Sequence, residues 1–135
     1  MSSVRDLSVL VVGATGGLGA AISRQLAQQG AKLTLQGRDL GRLQALSLDA
    51  VLMTGDLRQP ETAERAATAA VEAHGRLDGL VVASGAVAFG PVADLPDTAL
   101  LELFQINTLA PIRLLRAALP HLTSSARDGR SPFVV

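Results

Sequence analysis

Apolar and polar residues follow two spacings along this chain, and the alternation of these spacings predicts strands followed by helices. Short apolar runs near glycine predict buried strands at 9–12, 32–36, 50–54 and 77–83, and a fifth strand that begins at Phe133. Helical spacing predicts helices from residue 18, over 40–46, from Pro60 to about 73, and over 97–119. Strands that alternate with helices join into a parallel sheet through right-handed crossovers. The sequence therefore predicts an α/β fold, a doubly wound parallel sheet of the Rossmann type.

Several details of the predicted helices follow from the same pattern. The apolar stripe that would face the sheet is Leu18, Ile22 and Leu26 in the first helix. In the third helix it is almost all alanine, at positions 63, 66, 67 and 70. Gly30 and Gly75 suit the left-handed residue that ends a helix, and Pro111 predicts a kink near Asn107. We expect Ser124, Ser125 and Ser131 to lie in the loop before the fifth strand.

Composition limits the classes of function. The 135 residues are 48% hydrophobic, which is enough for one core, so we expect one domain over 1–135. Twelve basic and twelve acidic residues give a formal net charge of +0, which argues against a nucleic acid partner. The chain has no cysteine, and His74 and His121 are too far apart to suggest a metal site. No apolar run approaches the roughly 20 residues of a membrane span, so we expect a soluble, cytoplasmic protein with no membrane partner.

A glycine-rich segment, Gly13 to Gly19, follows the first predicted strand directly. Glycines in such a turn allow a dinucleotide pyrophosphate to approach the backbone, and the helix that follows offers unpaired N–H groups to it. The spacing is G-x-x-x-G-x-G on Gly13, Gly17 and Gly19, with Ile22 where G-x-G-x-x-G would have its last glycine. The segment predicts a dinucleotide site, and the alternative is a tight turn that binds nothing.

The segment from Val12 to Gly19 is similar to the T-G-x-x-x-G-x-G motif of the short-chain dehydrogenase/reductase family, with valine in place of threonine. The resemblance runs from Leu7 to Val135. Gly13, Gly16 and Gly19 also match the G-x-x-G-x-x-G spacing of the family's extended branch, which modifies nucleotide sugars. Later segments favour the classical branch. The resemblance implies a nicotinamide cofactor on a Rossmann-type fold.

By this resemblance, the cofactor-binding residues lie in four segments at the ends of strands. Gly37 stands where NAD-selective relatives place an acidic residue, and Arg38 can pair with a 2′-phosphate. We therefore expect NADP(H), with NAD less favoured, and the alternative is that Arg38 is only solvated. Asp56 and Leu57 resemble the pair that contacts the adenine ring, although Asp56 is equally explained as a turn residue. The full expected set is Gly13, Thr15, Gly16, Gly17, Leu18, Gly19, Arg38, Asp56, Leu57, Ala83, Ser84 and Gly85.

The fourth strand carries the clearest departure from the family. Val82-Ala83-Ser84-Gly85 stands where the classical branch has N-N-A-G, and Val82 implies a more apolar seam there. Asn107 matches the family's helix asparagine, which assists a water-mediated proton relay, and the alternative is that it caps a kink beside Pro111.

The family's chemistry also needs a serine after the fifth strand and a Tyr-x-x-x-Lys segment, and this sequence contains no tyrosine. We therefore expect the cofactor-binding portion of an NADP(H)-dependent oxidoreductase that acts on a carbonyl or alcohol of a small molecule, with the catalytic part beyond Val135. Two alternatives are a non-catalytic NADP(H)-binding module and an extended-type enzyme acting on nucleotide sugars. The apolar long helix from Asp97 to Leu119 suggests a homo-oligomer, because relatives pair this helix across an interface; packing within one subunit is the alternative.

Overall fold

Five parallel strands form one sheet in the computed structural model, which describes residues 3–135. The strands are β1 Ser8–Val12, β2 Lys32–Gly37, β3 Ala50–Thr54, β4 Gly79–Val82 and β5 Phe133–Val134. Their order across the sheet is β3-β2-β1-β4-β5, and each neighbouring pair is parallel. The predicted α/β doubly wound sheet is confirmed. The fourth strand spans Gly79–Val82 rather than 77–83, although the Asp78 amide and carbonyl already bond to Ser8 and Phe133.

Helices cover both faces of this sheet. They are α1 Gly17–Gln28, α2 Leu40–Gln44, α3 Glu61–His74, α4 Asp97–Phe104 and α5 Ala110–Arg127. Ile22 of α1 and Leu43 of α2 pack on one face against apolar side chains of β1 and β2, whereas α3 and α5 pack on the other. All five residues of β1 are buried, as expected for a strand at the centre of a covered parallel sheet.

The small-residue face of α3 and the predicted helix ends are confirmed. The four alanines predicted to face the sheet are all buried, and α3 lies against both the sheet and α5. Gly30 and Gly75 follow α1 and α3 with φ of 83° and 76°, in the left-handed region. Among residues 3–135, no helix is both long and apolar enough to cross a membrane.

The prediction that Leu18 belongs to the buried stripe of α1 is wrong. Its side chain is 67% exposed, whereas Ile22 and Leu26 pack against the core. Leu18 lies in the first turn of α1, which begins at the carboxyl edge of the sheet just after the loop from β1. The fully buried residues of α1 are Gly19 and Ser23, so the buried face is turned by one residue from the predicted stripe and leaves Leu18 outside it.

The long helix differs from its predicted bounds. It does not end at 119 but continues through Pro120 to Arg127, so the prediction that Ser124 and Ser125 lie in a loop is wrong; Ser131 does lie in a loop. Ser125 is buried because its hydroxyl donates a hydrogen bond of 2.6 Å to Asp78. That carboxylate also accepts bonds from the Ser8 amide and from Arg76, each at 2.8 Å.

The irregularity predicted near Asn107 takes the form of a π turn. It spans Gln105–Leu109 and connects α4 to α5, where Pro111 is the second residue. Proline has no N–H to donate to the carbonyl one turn earlier, so the regular helical bonding is interrupted here.

Candidate functional site

A cavity of about 270 Å³ opens at the carboxyl ends of the central strands. The strands β1 and β4 are neighbours at the centre of the sheet. After β1 the chain adds β2 and β3 towards one edge, and after β4 it adds β5 towards the other. This is the switch point at which open α/β sheets bind ligands. The cavity is lined by Gly13, Thr15, Gly16, Gln36, Gly37, Arg38, Arg42, Asp56, Leu57, Arg58, Ala83, Ser84, Gly85, Ala86, Glu102 and Ile106.

The glycine loop is packed tightly at two of its positions. Gly13 has φ of 76°, and a Cβ added to it would lie 2.7 Å from the Ser84 amide nitrogen. A Cβ on Gly19 would lie 2.1 Å from the Gly13 carbonyl oxygen. Gly16 and Gly17 meet no such obstacle. Packing requires glycine at positions 13 and 19, and both the classical and the extended spacing have glycine at these two positions. Packing therefore does not distinguish the two branches of the family.

The first turn of α1 presents unpaired amides beside this cavity. Gly16 precedes the helix and supplies no side-chain cap, and the first turn contains no acidic residue. The first amide bonded into the helix is that of Ala20, which donates to the Gly16 carbonyl. The partial positive charge of the helix N-terminus is therefore uncompensated by the described residues, as at helix ends that bind anions.

Two arginines lie on the β2 side of the cavity. Arg38 follows β2, and Arg42 lies on α2, whose N-terminus is capped by Asp39 accepting a 2.9 Å bond from the Arg42 amide. Neither guanidinium belongs to an ion pair within residues 3–135. Gly37 is buried, and a Cβ on it would lie 3.2 Å from the Leu43 side chain, so this position has little room for a larger residue.

Asp56 follows β3, the strand next to β2, and is paired with Arg58. The Arg58 guanidinium donates to the Asp56 carboxylate at 2.6 Å and lies 3.9 Å from Glu102 of α4. The side-chain hydrogen bond from Arg58 lowers the pKa of Asp56, more than partial burial raises it, and the same bond raises the pKa of Arg58. Asp56 also accepts a 2.9 Å bond from the Arg58 amide, which is the turn-forming role, and Leu57 beside it is buried.

The loop after β4 closes the cavity on its remaining side. The Ala83 amide donates to the Val12 carbonyl at 2.8 Å, which continues the sheet by one residue. The Ser84 hydroxyl is buried and has no hydrogen-bond partner among the described residues. Val82 packs against the core on the α3 and α5 face, so the apolar seam expected here is present.

Asn107 joins the long helix to this loop. Its Oδ1 accepts a 2.9 Å bond from the Ala86 amide, and its Nδ2 donates a 2.8 Å bond to the Ala86 carbonyl. The alternative in which it caps a kink beside Pro111 is therefore wrong, because the side chain bonds to a different segment. Asn107 itself does not line the cavity, although Ile106 and Ala86 do.

Gln36 is a site residue that sequence reasoning missed. Its side chain accepts a bond from the Gly13 amide at 3.2 Å and donates one to the Gly55 carbonyl at 2.7 Å. In the sequence it is only a polar residue in an alternating strand. The sequence signal that could have identified it is its position directly before Gly37, at the end of the strand. It also lies two residues after Thr34, on the same face of β2, and Thr34 is buried.

The structure brings most of the expected residues together. Leu18 and Gly19 begin α1 beside the cavity with Gly17, and Asn107 is connected to it through Ala86. Within the described part of the chain, no group of three carboxylate or imidazole side chains gathers that would hold a metal ion. The expected residues that line the cavity are Gly13, Thr15, Gly16, Arg38, Asp56, Leu57, Ala83, Ser84 and Gly85.

Known proteins share this fold and this sequence pattern. The sequence model of the short chain dehydrogenase family matches residues 8–131. The chain belongs to the short chain dehydrogenase family. An L-rhamnose 1-dehydrogenase (NAD(P)(+)) of Azotobacter vinelandii is 32% identical over 135 residues, covering 92% of this chain and 53% of that protein.

Two solved structures of the family superpose on most of this chain. A dehydrogenase/reductase from Sinorhizobium meliloti 1021 has a TM-score of 0.81 and 32% identity, covering 89% of this chain and 52% of its own. A short chain dehydrogenase from Burkholderia cenocepacia J2315, in complex with NADP, has a TM-score of 0.83 and 29% identity, covering 90% and 53%. The chain spans between 6% and 55% of the length of the curated relatives it matches.

Proposed function

We propose that this chain is the cofactor-binding portion of an NADP(H)-dependent oxidoreductase that interconverts carbonyl and alcohol groups of a small molecule. The observation that carries the proposal is one cavity, at the switch point of the sheet, faced by an uncapped helix N-terminus and two arginines outside any ion pair of the described residues. A dinucleotide with an extra phosphate needs anion-binding groups at two separate places, and this cavity offers both.

The residues around the glycine loop fit a pyrophosphate. Gly16 and Gly17 leave open space at their Cα atoms, so phosphate oxygens can approach the backbone closely. In the proposal, the amides of Gly17, Leu18 and Gly19 hold the pyrophosphate, and Gly13 and Thr15 shape the turn beneath it. Once bound, the nicotinamide supplies or accepts the hydride of the reaction.

The charges around the adenosine end fit NADP(H) better than NAD(H). In the proposal, Arg38 and Arg42 bind the 2′-phosphate, while Gly37 provides no carboxylate that would accept a bond from a free ribose 2′-hydroxyl. Asp56, beside the adenine with Leu57, has its charge offset by Arg58 at 2.6 Å, so its repulsion of a nearby phosphate is reduced. The backbone of Ala83, Ser84 and Gly85 forms the remaining wall.

Proton transfer in this proposal depends partly on groups that this segment does not contain. Its 135 residues include no tyrosine, and we propose that residues outside the segment supply the Ser and Tyr-x-x-x-Lys groups. Asn107 is the accessory relay residue: its bonds to Ala86 leave one Nδ2 hydrogen free to contact a water. We further propose that the protein works in the cytoplasm, where a chain without cysteine needs no oxidising environment.

The cofactor assignment is tested by comparing the affinities of NADPH and NADH for the full-length protein. Arg38→Asp removes one phosphate ligand and adds a repelling charge, so we expect the preference for NADPH to fall by about tenfold or more. Arg24→Asp makes the same charge change at an exposed position of α1 outside the cavity and should leave the preference unchanged. An equal preference in the wild type and Arg38→Asp would reject the assignment.

A second candidate is a non-catalytic NADP(H)-binding module, which the lack of tyrosine in these residues favours. The two candidates share the binding test and differ in turnover. Oxidation of NADPH by the full-length protein in the presence of a panel of aldehydes and ketones supports the enzyme, and binding without turnover, together with no Tyr-x-x-x-Lys after residue 135, supports the module.

A further inference from the structure

Gln36 lies at the carboxyl end of β2, between the two loops that form opposite sides of the cavity. Its side chain is 1% exposed, although it carries two polar atoms. Oε1 accepts from the Gly13 amide at 3.2 Å, and Nε2 donates to the Gly55 carbonyl at 2.7 Å. Its main-chain carbonyl accepts from the amides of Gly13 and Ala14 at 3.1 and 2.9 Å. One residue therefore bonds to the first two residues of the glycine loop and to the loop after β3.

The two loops that Gln36 joins come from strands on either side of β2. Gly13 follows β1 and begins the glycine loop, whereas Gly55 follows β3 and directly precedes Asp56. Ladder pairing between β2 and β3 ends with Gly37 and Thr54, and one further backbone bond, from the Gly55 amide to the Gly37 carbonyl, follows it. The Nε2 bond then holds the Gly55 carbonyl, and the Thr62 hydroxyl holds the Asp56 carbonyl at 2.6 Å, so the Gln36 side chain is the contact that ties this loop to the glycine loop.

The chemistry of these two bonds requires an amide. Glutamine supplies an acceptor and a donor at the end of one side chain, whereas ionised glutamate cannot donate and methionine of similar length does neither. Loss of the donor leaves the partly buried Gly55 carbonyl without its protein partner. The charged side chains that line the cavity make no hydrogen bond to Gln36 in the described residues.

We infer that Gln36 is a positioning residue for the proposed cofactor site: it sets the distance between the loop proposed to bind the pyrophosphate and the loop proposed to contact the adenosine. The inference rests on the proposed function, because it concerns how tightly NADP(H) binds and not whether the cavity is a nucleotide site. It predicts that affinity depends on the side-chain amide even in a protein that is fully folded.

The first test compares Gln36→Met with Thr34→Val in the full-length protein. Thr34 lies two residues earlier on the same face of β2, is fully buried and has a hydroxyl without a hydrogen-bond partner among the described residues, so it is a matched control. Affinities for NADPH and for 2′,5′-ADP are measured well below the melting temperature of each variant. We expect Gln36→Met to bind both about three- to tenfold more weakly, the range of one lost neutral hydrogen bond, and Thr34→Val to bind as the wild type does.

The second test uses Gln36→Glu and a pH series, and an affinity ratio that does not change with pH would contradict the positioning role. The neutral carboxyl group has the donor and acceptor of an amide, and the ionised group lacks the donor. We expect the ratio of variant to wild-type affinity to be lowest near about pH 8 and to rise as pH falls towards about pH 5. The ratio removes the titration of groups that both proteins share, including Asp56, Glu102 and the phosphate.

The outcomes separate this inference from the proposed function. If the wild type binds NADPH, and Gln36→Met binds equally well or the Gln36→Glu ratio is constant with pH, the positioning role is overturned while the cofactor site remains. If the wild type binds no NADPH, the proposed function itself fails. Should Gln36→Met not fold, Gln36→Asn takes its place, because its amide is one methylene too short to reach both partners; weaker binding by Gln36→Glu at high pH does not decide the matter alone, since the new carboxylate also repels the pyrophosphate.

Discussion

Replacing Gly19 with alanine is the sharpest test of the glycine loop. The new Cβ would lie 2.1 Å from the Gly13 carbonyl oxygen, which is backbone and cannot rotate away. Helix α1 and the loop would have to separate by about 1.5 Å to reach an ordinary contact distance. Gly17→Ala is the matched control, because its Cβ would meet no atom within 4 Å.

The expected size of the effect follows from two opposing contributions. Overpacking against backbone costs about 3 kcal/mol, at the upper end of the usual range. Alanine is favoured over glycine within a helix by about 1 kcal/mol, which offsets part of that cost. We therefore expect Gly19→Ala to lower the free energy of unfolding by about 2 kcal/mol. Gly17→Ala should not lower the free energy of unfolding, because the alanine gains helix propensity without a clash.

Urea denaturation of the full-length protein, followed by far-ultraviolet circular dichroism, measures this difference. The Gly19→Ala variant should also bind NADPH more weakly, because the amides of the first turn move with the helix. If Gly19→Ala is as stable as Gly17→Ala, then α1 does not lie against the loop as described and the reasoning is refuted.

Three further predictions concern the buried Asp78 and the exposed apolar residues of α4. Asp78→Ala leaves buried donors such as the Ser125 hydroxyl without an acceptor, so we expect the free energy of unfolding in urea to fall by about 3 to 5 kcal/mol. As a control, Asp49→Ala at an exposed position should change it by less than about 0.5 kcal/mol. Burial acts to raise the pKa of Asp78, but hydrogen bonds from Ser125 and its other donors outweigh it, and the pKa lies below its ordinary value. Because the pKa of Asp78 is lower in the folded protein, its stabilisation is complete above the unfolded-state pKa and is lost as pH falls through the folded-state pKa. The wild type should therefore be more stable than Asp78→Ala above about pH 4 and should lose this extra stability below it. Equal acid unfolding curves for the two proteins would contradict this. On α4, Leu101 and Phe104 are 63% and 55% exposed, so we expect the full-length protein to self-associate through this helix. Changing both residues to aspartate should reduce the sedimentation coefficient. A wild type that sediments as a monomer would contradict the interface.

The fold and the place of the site followed from local patterns in the sequence. Strands buried on both faces have a continuous apolar composition, as at Val9 to Val12, and a glycine turn directly after such a strand is recognisable without any tertiary information. Arg38 was found for the same reason, because its position is set by the end of β2 and not by a distant contact. The parallel order of the strands then brought these strand ends to one edge of the sheet.

Other features depended on residues far apart in the chain, and their roles were not readable from spacing. Ser125 resembles a loop residue in sequence, but a carboxylate 47 positions away gives its hydroxyl a buried partner and the helix continues through it. Leu18 has helical apolar spacing, yet the buried face of α1 is centred on Gly19 and Ser23 and leaves Leu18 exposed.

The sequence by itself determined the order of strands and most of the helices, and the position of the glycine loop after β1, because these depend on neighbouring residues along the chain. Only the tertiary structure decided that Gln36 joins two loops, that Asp56 forms an ion pair with Arg58 and that the Asn107 side chain bonds to the Ala86 backbone. Each of these depends on a donor and an acceptor meeting at less than about 3.5 Å. That distance is set by the packing of separate elements, which no pattern within one element records.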